Sequence, residues 1–259
     1  MRILGFRPTF WPTVITAGAV LLAVGLGTWQ VQRLFWKEGL IAARQANARA
    51  PVLDKLPATF RPDRDAYRRV TVEGRYLNDK EIYLAARSHR GNAGFHVVTP
   101  FALAGGGHIL VDRGWVPLSV KEPIGRAAGQ IDGPTKLTGY MRLPSVGGYF
   151  TPDNEPSGNI WYTVDIPAIG RKTGIADLKP FYLERDATPM PGGFPVGGQT
   201  RLDLPNNHLQ YVVTWYALAI IGLVIYILYH RRREREMARR PDSNKADSNN
   251  SDPSDTDAA

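Results

Sequence analysis

The sequence predicts an α+β membrane protein in which two transmembrane helices flank an external, mainly antiparallel β domain. Three observations carry that prediction: two long windows without charge, basic residues beside them, and a middle segment of short β-rich runs. No Lys, Arg, Asp or Glu stands between Arg7 and Arg33, or between Asp203 and Arg231, windows of 25 and 27 residues. At about 1.5 Å of rise per residue, roughly 20 apolar residues cross a hydrocarbon core of about 30 Å. Both windows are long enough.

Residues 1–11 form an N-terminal segment, and residues 12–33 the first span, running through Val14, Ile15 and the block Val20 to Val24. A cleaved signal peptide has an apolar core of about 7 to 15 residues before a small-residue cleavage site. This stretch is longer and runs on into Arg33-Leu34-Phe35-Trp36-Lys37, so it reads as an uncleaved anchor. Residues 206–229 form the second span, closed by His230 and Arg231-Arg232-Arg233. Lys and Arg near the ends of spans set orientation. The cluster Arg231 to Arg235, with Arg2 and Arg7 at the other end, places both termini in the cytoplasm, outweighing Arg33 and Lys37. Met1 precedes the first span by about ten residues, too few for an Arg- and Ser-rich transit peptide, which points to a bacterial inner membrane.

The external segment 34–203 would then be periplasmic. Lys37 to Arg49, rich in Ala, Gln and Arg, should carry the first helix out of the membrane. Strand-like runs follow at Tyr67 to Val72, Glu81 to Ala85, Gly94 to Leu103, His108 to Leu118, Thr135 to Leu143, Asn159 to Asp165 and Phe181 to Arg185. Glu73-Gly74, Asn78-Asp79, Gly91-Asn92, Gly105-Gly106-Gly107 and Gly133-Pro134 supply turns, and Ile166 to Thr173 suits a short helix. Residues 230–259 turn from basic to an Asp-, Ser- and Asn-rich tail with the composition of a disordered segment.

Composition excludes several functions. The chain has no cysteine, which removes disulfides, covalent c-type haem attachment and thiolate metal sites. The formal charge of +8 does not indicate nucleic acid, because the 22 basic and 17 acidic residues of segment 34–203 are dispersed. There is no Gly-x-Ser-x-Gly, His-Glu-x-x-His or Walker loop, so no enzyme is expected. His89, His96 and His108 stand in separate strand or turn segments, where half-exposed strand histidines are commoner than a metal site. A hydrolase would need Asp112, a strand histidine and a serine to converge.

The boundaries of the spans are the informative places. Tyr211 and Trp215 follow His208 by three and seven residues and share its helical face. In the first span Trp29, Arg33 and Trp36 are spaced by four and three, and Gln30 and Lys37 by seven. The predicted topology puts both faces in one leaflet. A neutral imidazole ligates haem iron, aromatic rings pack on porphyrin, and Arg33 or Lys37 would pair with propionates. The same residues also suit an aromatic belt with Arg33 snorkelling towards water, and spacing alone favours that belt.

Three motifs narrow the choice. Leu26-Gly27-Thr28-Trp29-Gln30-Val31-Gln32-Arg33-Leu34-Phe35-Trp36-Lys37 resembles the first-span signature of the Surfeit locus protein 1 family. Val111-Asp112-Arg113-Gly114-Trp115-Val116-Pro117 is similar to its external Arg-Gly-Trp motif, and Asn206 to Tyr216 to its second-span opening. The resemblance covers about residues 8 to 233. It implies an assembly factor for haem-copper cytochrome c oxidase that, in bacterial members, binds haem a and helps deliver it to the catalytic subunit. His208 matches the family's haem-ligating histidine; contacts of Trp29, Tyr211, Trp215, Arg33 and Lys37 with the haem are inferences from helical spacing. Gly114 should permit a tight turn and Trp115 should pack, while Arg113 has no assigned chemistry. Expected partners are the oxidase catalytic subunit, haem a synthase and the lipid bilayer, with a homo-oligomer also open. The alternative is a scaffold that holds oxidase intermediates without haem.

Overall fold

The computed structural model describes residues 7–144 and 147–239. The expectations for Arg2 and for the acidic tail lie outside the described residues. The chain divides into two compact units, Met1–Glu38 with Pro205–Ala259, and Gly39–Leu204.

The first unit is made by α1 (Phe10–Arg49), as far as Glu38, and the C-terminal helix. Helix α1 runs without a break from the apolar window through Lys37 to Arg49, as the Ala- and Gln-rich composition predicts. The C-terminal helix spans His208–Ala238, starting two residues later and ending nine residues later than the predicted span. Its basic extension keeps good helix formers, and Arg232 pairs with Glu236 one turn on. Both helices are long and apolar enough to cross a membrane, and only 11% and 6% of their most apolar windows is buried. The two pair antiparallel within this unit. Thr13 Oγ1 lies 2.7 Å from the Tyr226 hydroxyl, and Thr28 Oγ1 lies 3.1 Å from that of Tyr216. Gly27 permits the approach: a Cβ there would stand 3.1 Å from the Tyr216 ring.

The second unit holds α2 (Pro62–Asp65), α3 (Ile166–Thr173) and seven strands. The strands are β1 (Arg69–Tyr76), β2 (Ile82–His89), β3 (Asn92–Leu103), β4 (His108–Pro117), β5 (Thr135–Arg142), β6 (Ile160–Trp161) and β7 (Leu178–Arg185). They form one sheet in the order β1-β5-β7-β4-β3-β2-β6, and a further β1–β3 pairing closes the first five into a ring. Five of the seven pairings are antiparallel; β4–β7 and β2–β6 are parallel. Alternate residues fill the ring: Val70 and Val72, Ile109 and Val111, Leu137 and Met141, Phe181 and Leu183, around Phe101. The opposite face carries Ile82, Leu84, Val98 and Leu110, covered by Trp161 of β6 and Ile166 and Ile169 of α3.

Local signals fix α3 on both sides. The Asp165 carboxylate accepts from the Ala168 N–H at 2.9 Å, and Gly174 ends the helix at φ +70°. The three-glycine run is the turn of a plain β3–β4 hairpin, with Leu103 N–H bonded to the Gly107 carbonyl. Of the predicted run Asn159 to Asp165, only Ile160 and Trp161 are strand. The following residues are claimed by Asn154, whose Oδ1 accepts from the Tyr162 and Thr163 N–H groups.

Candidate functional site

In the helical unit, Asn207 precedes the first turn of the C-terminal helix, α4 (His208–Ala238). His208 sits half-buried at its start, and its Nδ1 lies 2.7 Å from Gln30 Oε1 on α1. An amide oxygen only accepts, so Nδ1 carries the proton and Nε2 the lone pair. Nε2 has no partner among the described residues. A half-buried imidazole whose tautomer is held this way is prepared to ligate a metal or to accept a hydrogen bond.

The other predicted residues fall into two groups. Arg33 lies over the rings of Trp29 and Trp36, at 5.6 and 5.2 Å from their centroids, within cation–π range. Lys37 makes no ion pair among the described residues. Trp215 lines an apolar groove of about 700 Å³ between α1 and α4, together with Val20, Ala23, Leu218 and Gly222. Tyr211 is half exposed. The residue that sequence reasoning left without a role is Gln30, whose seven-residue spacing from Lys37 placed it on the right face.

In the sheet unit the three histidines do not converge. His89 Nδ1 pairs with Gln199 at 3.1 Å, His96 Nδ1 with Asp112 Oδ2 at 2.8 Å, and His108 Nδ1 with Asp177 at 2.6 Å. No metal-holding cluster of three such residues occurs among the described residues. Asp112 and His96 do come together, and Ser88 lines the same cleft, but no hydrogen bond joins Ser88 to His96. Two members of the hydrolase constellation meet and the nucleophile is not engaged.

The Arg-Gly-Trp motif is structural in its contacts. Between Val97/Gly114 and Val98/Asp112 the β3–β4 register slips by one, so Arg113 is the extra residue of a β-bulge. Gly114 serves that bulge rather than a tight turn: at φ +117°, its N–H bonds to Asp112 Oδ1 and a Cβ would strike the Val196 carbonyl. Trp115 is packed as expected, 5% exposed, against His89 and Phe194. Arg113 is wholly buried, donating to Asn78 Oδ1, Gln130 Oε1 and the Gly129 carbonyl and lying 4.4 Å over the Tyr76 ring. Burial pulls its guanidinium below the ordinary arginine range. Beside it Arg126 pairs with Glu81 in a second buried cluster, which the Tyr83 hydroxyl joins at 2.7 Å.

Fold and site together define a class: a pair of long apolar helices, one chain-wise on each side of a closed sheet domain, with a tautomer-fixed histidine between the helices. A model of the SURF1 family matches residues 17–220, which include both helical motifs and the sheet domain. A SURF1-like protein of Monosiga brevicollis is 37% identical over 231 residues, covering 82% of this chain and 85% of that protein. Surfeit locus protein 1 of Rattus norvegicus is 38% identical over 212 residues (76% and 68% covered), and that of Homo sapiens 40% over 215 residues (76% and 70%). The chain belongs to the SURF1 family.

Proposed function

We propose that this protein is an assembly factor for a haem-copper cytochrome c oxidase, which binds haem a at its helical unit and aids its insertion into the catalytic subunit. Membership of the SURF1 family supports the assembly role. The observation that carries haem binding is the His208–Gln30 pair, which leaves the Nε2 lone pair uncommitted. Nε2 would hold the iron, and Gln30 would fix the tautomer and orientation of the imidazole. The apolar groove beside Trp215 suits a farnesyl chain. Tyr211 and Trp29 would pack on the porphyrin, and Arg33 and Lys37 would meet its propionates. The role is binding and transfer, without bond-making catalysis; one neutral ligand captures the cargo and still releases it.

On this reading both helices span a bacterial inner membrane, both termini are cytoplasmic, and the sheet domain is periplasmic, where it meets the catalytic subunit and haem a synthase. The scaffold reading draws on Arg33, whose engagement with two Trp rings already accounts for it without haem. The test is the absorption spectrum of the protein purified in detergent from cells that make haem a, beside His208→Ala. A haem a band present in the first and lost from a folded second is expected. A folded wild type without haem would leave the scaffold.

A further inference from the structure

The sheet unit contains a cleft of about 570 Å³ between β2, β3, β4, β7 and the ends of this unit. Four arginines line it, Arg44, Arg87, Arg142 and Arg201, against two carboxylates, Asp112 and Glu184. The carboxylates are already taken. Glu184 pairs with Arg142 at 2.9 Å and accepts from the Thr200 hydroxyl, and Asp112 is shared by His96 and the Gly114 N–H. Arg44, Arg87 and Arg201 therefore have no carboxylate partner among the described residues. Among the described residues Arg87 reaches only the Tyr162 carbonyl, at 3.5 Å, and Arg44 lies over the Tyr67 ring at 4.8 Å. Like charges gathered in a concave, partly desolvated place repel one another and concentrate a positive potential.

The backbone around the cleft is strained in the places that aim these side chains. Tyr67, which carries both Arg44 and Arg142 over its ring, has φ +67°. Ala86 has φ +54° at the register break between Leu84 and Arg87, and this break turns Arg87 to the cleft. Non-glycine residues in the left-handed region are strained and gather at ligand sites. His96 lines the same space: Asp112 fixes its Nδ1, and Nε2 has no hydrogen-bond partner among the described residues.

We propose that this cleft binds an anionic ligand through its carboxylate or phosphate oxygens, clamped by Arg44, Arg87 and Arg201, with His96 as acceptor for any hydroxyl it carries. Guanidinium forks match both oxyanion geometries, and two sources have the chemistry: a phospholipid headgroup and the propionates of a porphyrin. The site does not depend on His208.

The full-length chain in non-ionic detergent would be titrated with dioctanoyl phosphatidylglycerol and with metal-free mesoporphyrin. The controls are their uncharged counterparts, dioctanoylglycerol and mesoporphyrin dimethyl ester. At least one anionic probe should bind saturably and about tenfold or more tighter than its counterpart, and the Arg87→Gln/Arg201→Gln protein should lose that margin. The probe that binds identifies the source. Arg201→Glu, on an exposed side chain, decides the matter should the double variant fail to fold. Anionic probes that bind no better than their counterparts, or that bind the folded variants as tightly as wild type, would overturn the proposal. The porphyrin holds no iron, so its failure is separable from failure of the His208 reading.

Discussion

Phe101 and Ile220 are both large apolar residues in regular structure, yet Phe101 is wholly shielded and Ile220 is 62% exposed. The contrast runs through both units. In the sheet domain Val70, Val97, Ile109, Val111 and Leu183 are shut from solvent, whereas on the helices Leu21, Leu22, Val213 and Leu228 face outward. The sheet domain carries its own dry interior; the helices hold each other by a few polar contacts and a close glycine approach and leave their apolar surface to their surroundings. In water such an apolar surface is unfavourable, and in hydrocarbon it costs nothing. The difference teaches that apolar content alone does not say where a residue's stabilisation comes from.

Substitutions test that contrast directly. Phe101→Ala should destabilise the sheet domain by about 3–5 kcal/mol, measured by denaturant unfolding, because the ring cannot collapse around the void. A loss under about 1 kcal/mol would mean the ring of strands is looser than described. The next effect is alkaline. Burial above all, then neighbouring charge and the hydrogen bond with Glu81 or Glu184, raises the Tyr83 and Tyr182 hydroxyls above their ordinary value of 10.0, and burial likewise raises Tyr76. The unfolded chain therefore releases these protons first. Their stabilisation is complete below about pH 10 and falls as pH rises, by about 1.4 kcal/mol per pH unit for each such group. Thermal melting of the sheet domain at rising pH should show the loss, and Tyr182→Phe should lessen its slope.

Effects in the helical unit should be smaller. Tyr216→Phe removes the Thr28 contact and should weaken helix pairing in detergent by roughly 0.6 kcal/mol. Ile220→Ala should change the stability of the detergent-solubilised protein by no more than about 0.5 kcal/mol. A cost near that of Phe101→Ala would place Ile220 in an interface and sink the comparison.

Much of this division was legible in the sequence, because its signals are local. Charge-free windows mark α1 and α4, and Asp165 with Gly174 brackets α3 to the residue. Hairpin β3–β4 follows from alternating runs around the Gly105 turn. The parallel pairings β4–β7 and β2–β6 join strands far apart in the chain, which no periodicity reveals. The two sites differ in the same way. His208 stands at a helix start with its partners at helical spacings, but Gln30, which fixes its tautomer, is known only once the helices meet. The arginine cleft draws on positions from 44 to 201, and the bulge that aims Arg87 sits in an unremarkable Ala85-Ala86 pair.

The closed ring of strands also sets a timetable for synthesis. Strand β7 is the last to be made, and it alone joins β4 to β5. Until residue 185 has emerged, those two strands keep bare backbone edges, the kind that recruit other chains. A nascent chain, or a truncation ending before Leu178, is therefore exposed to misassembly that the finished domain escapes by closing.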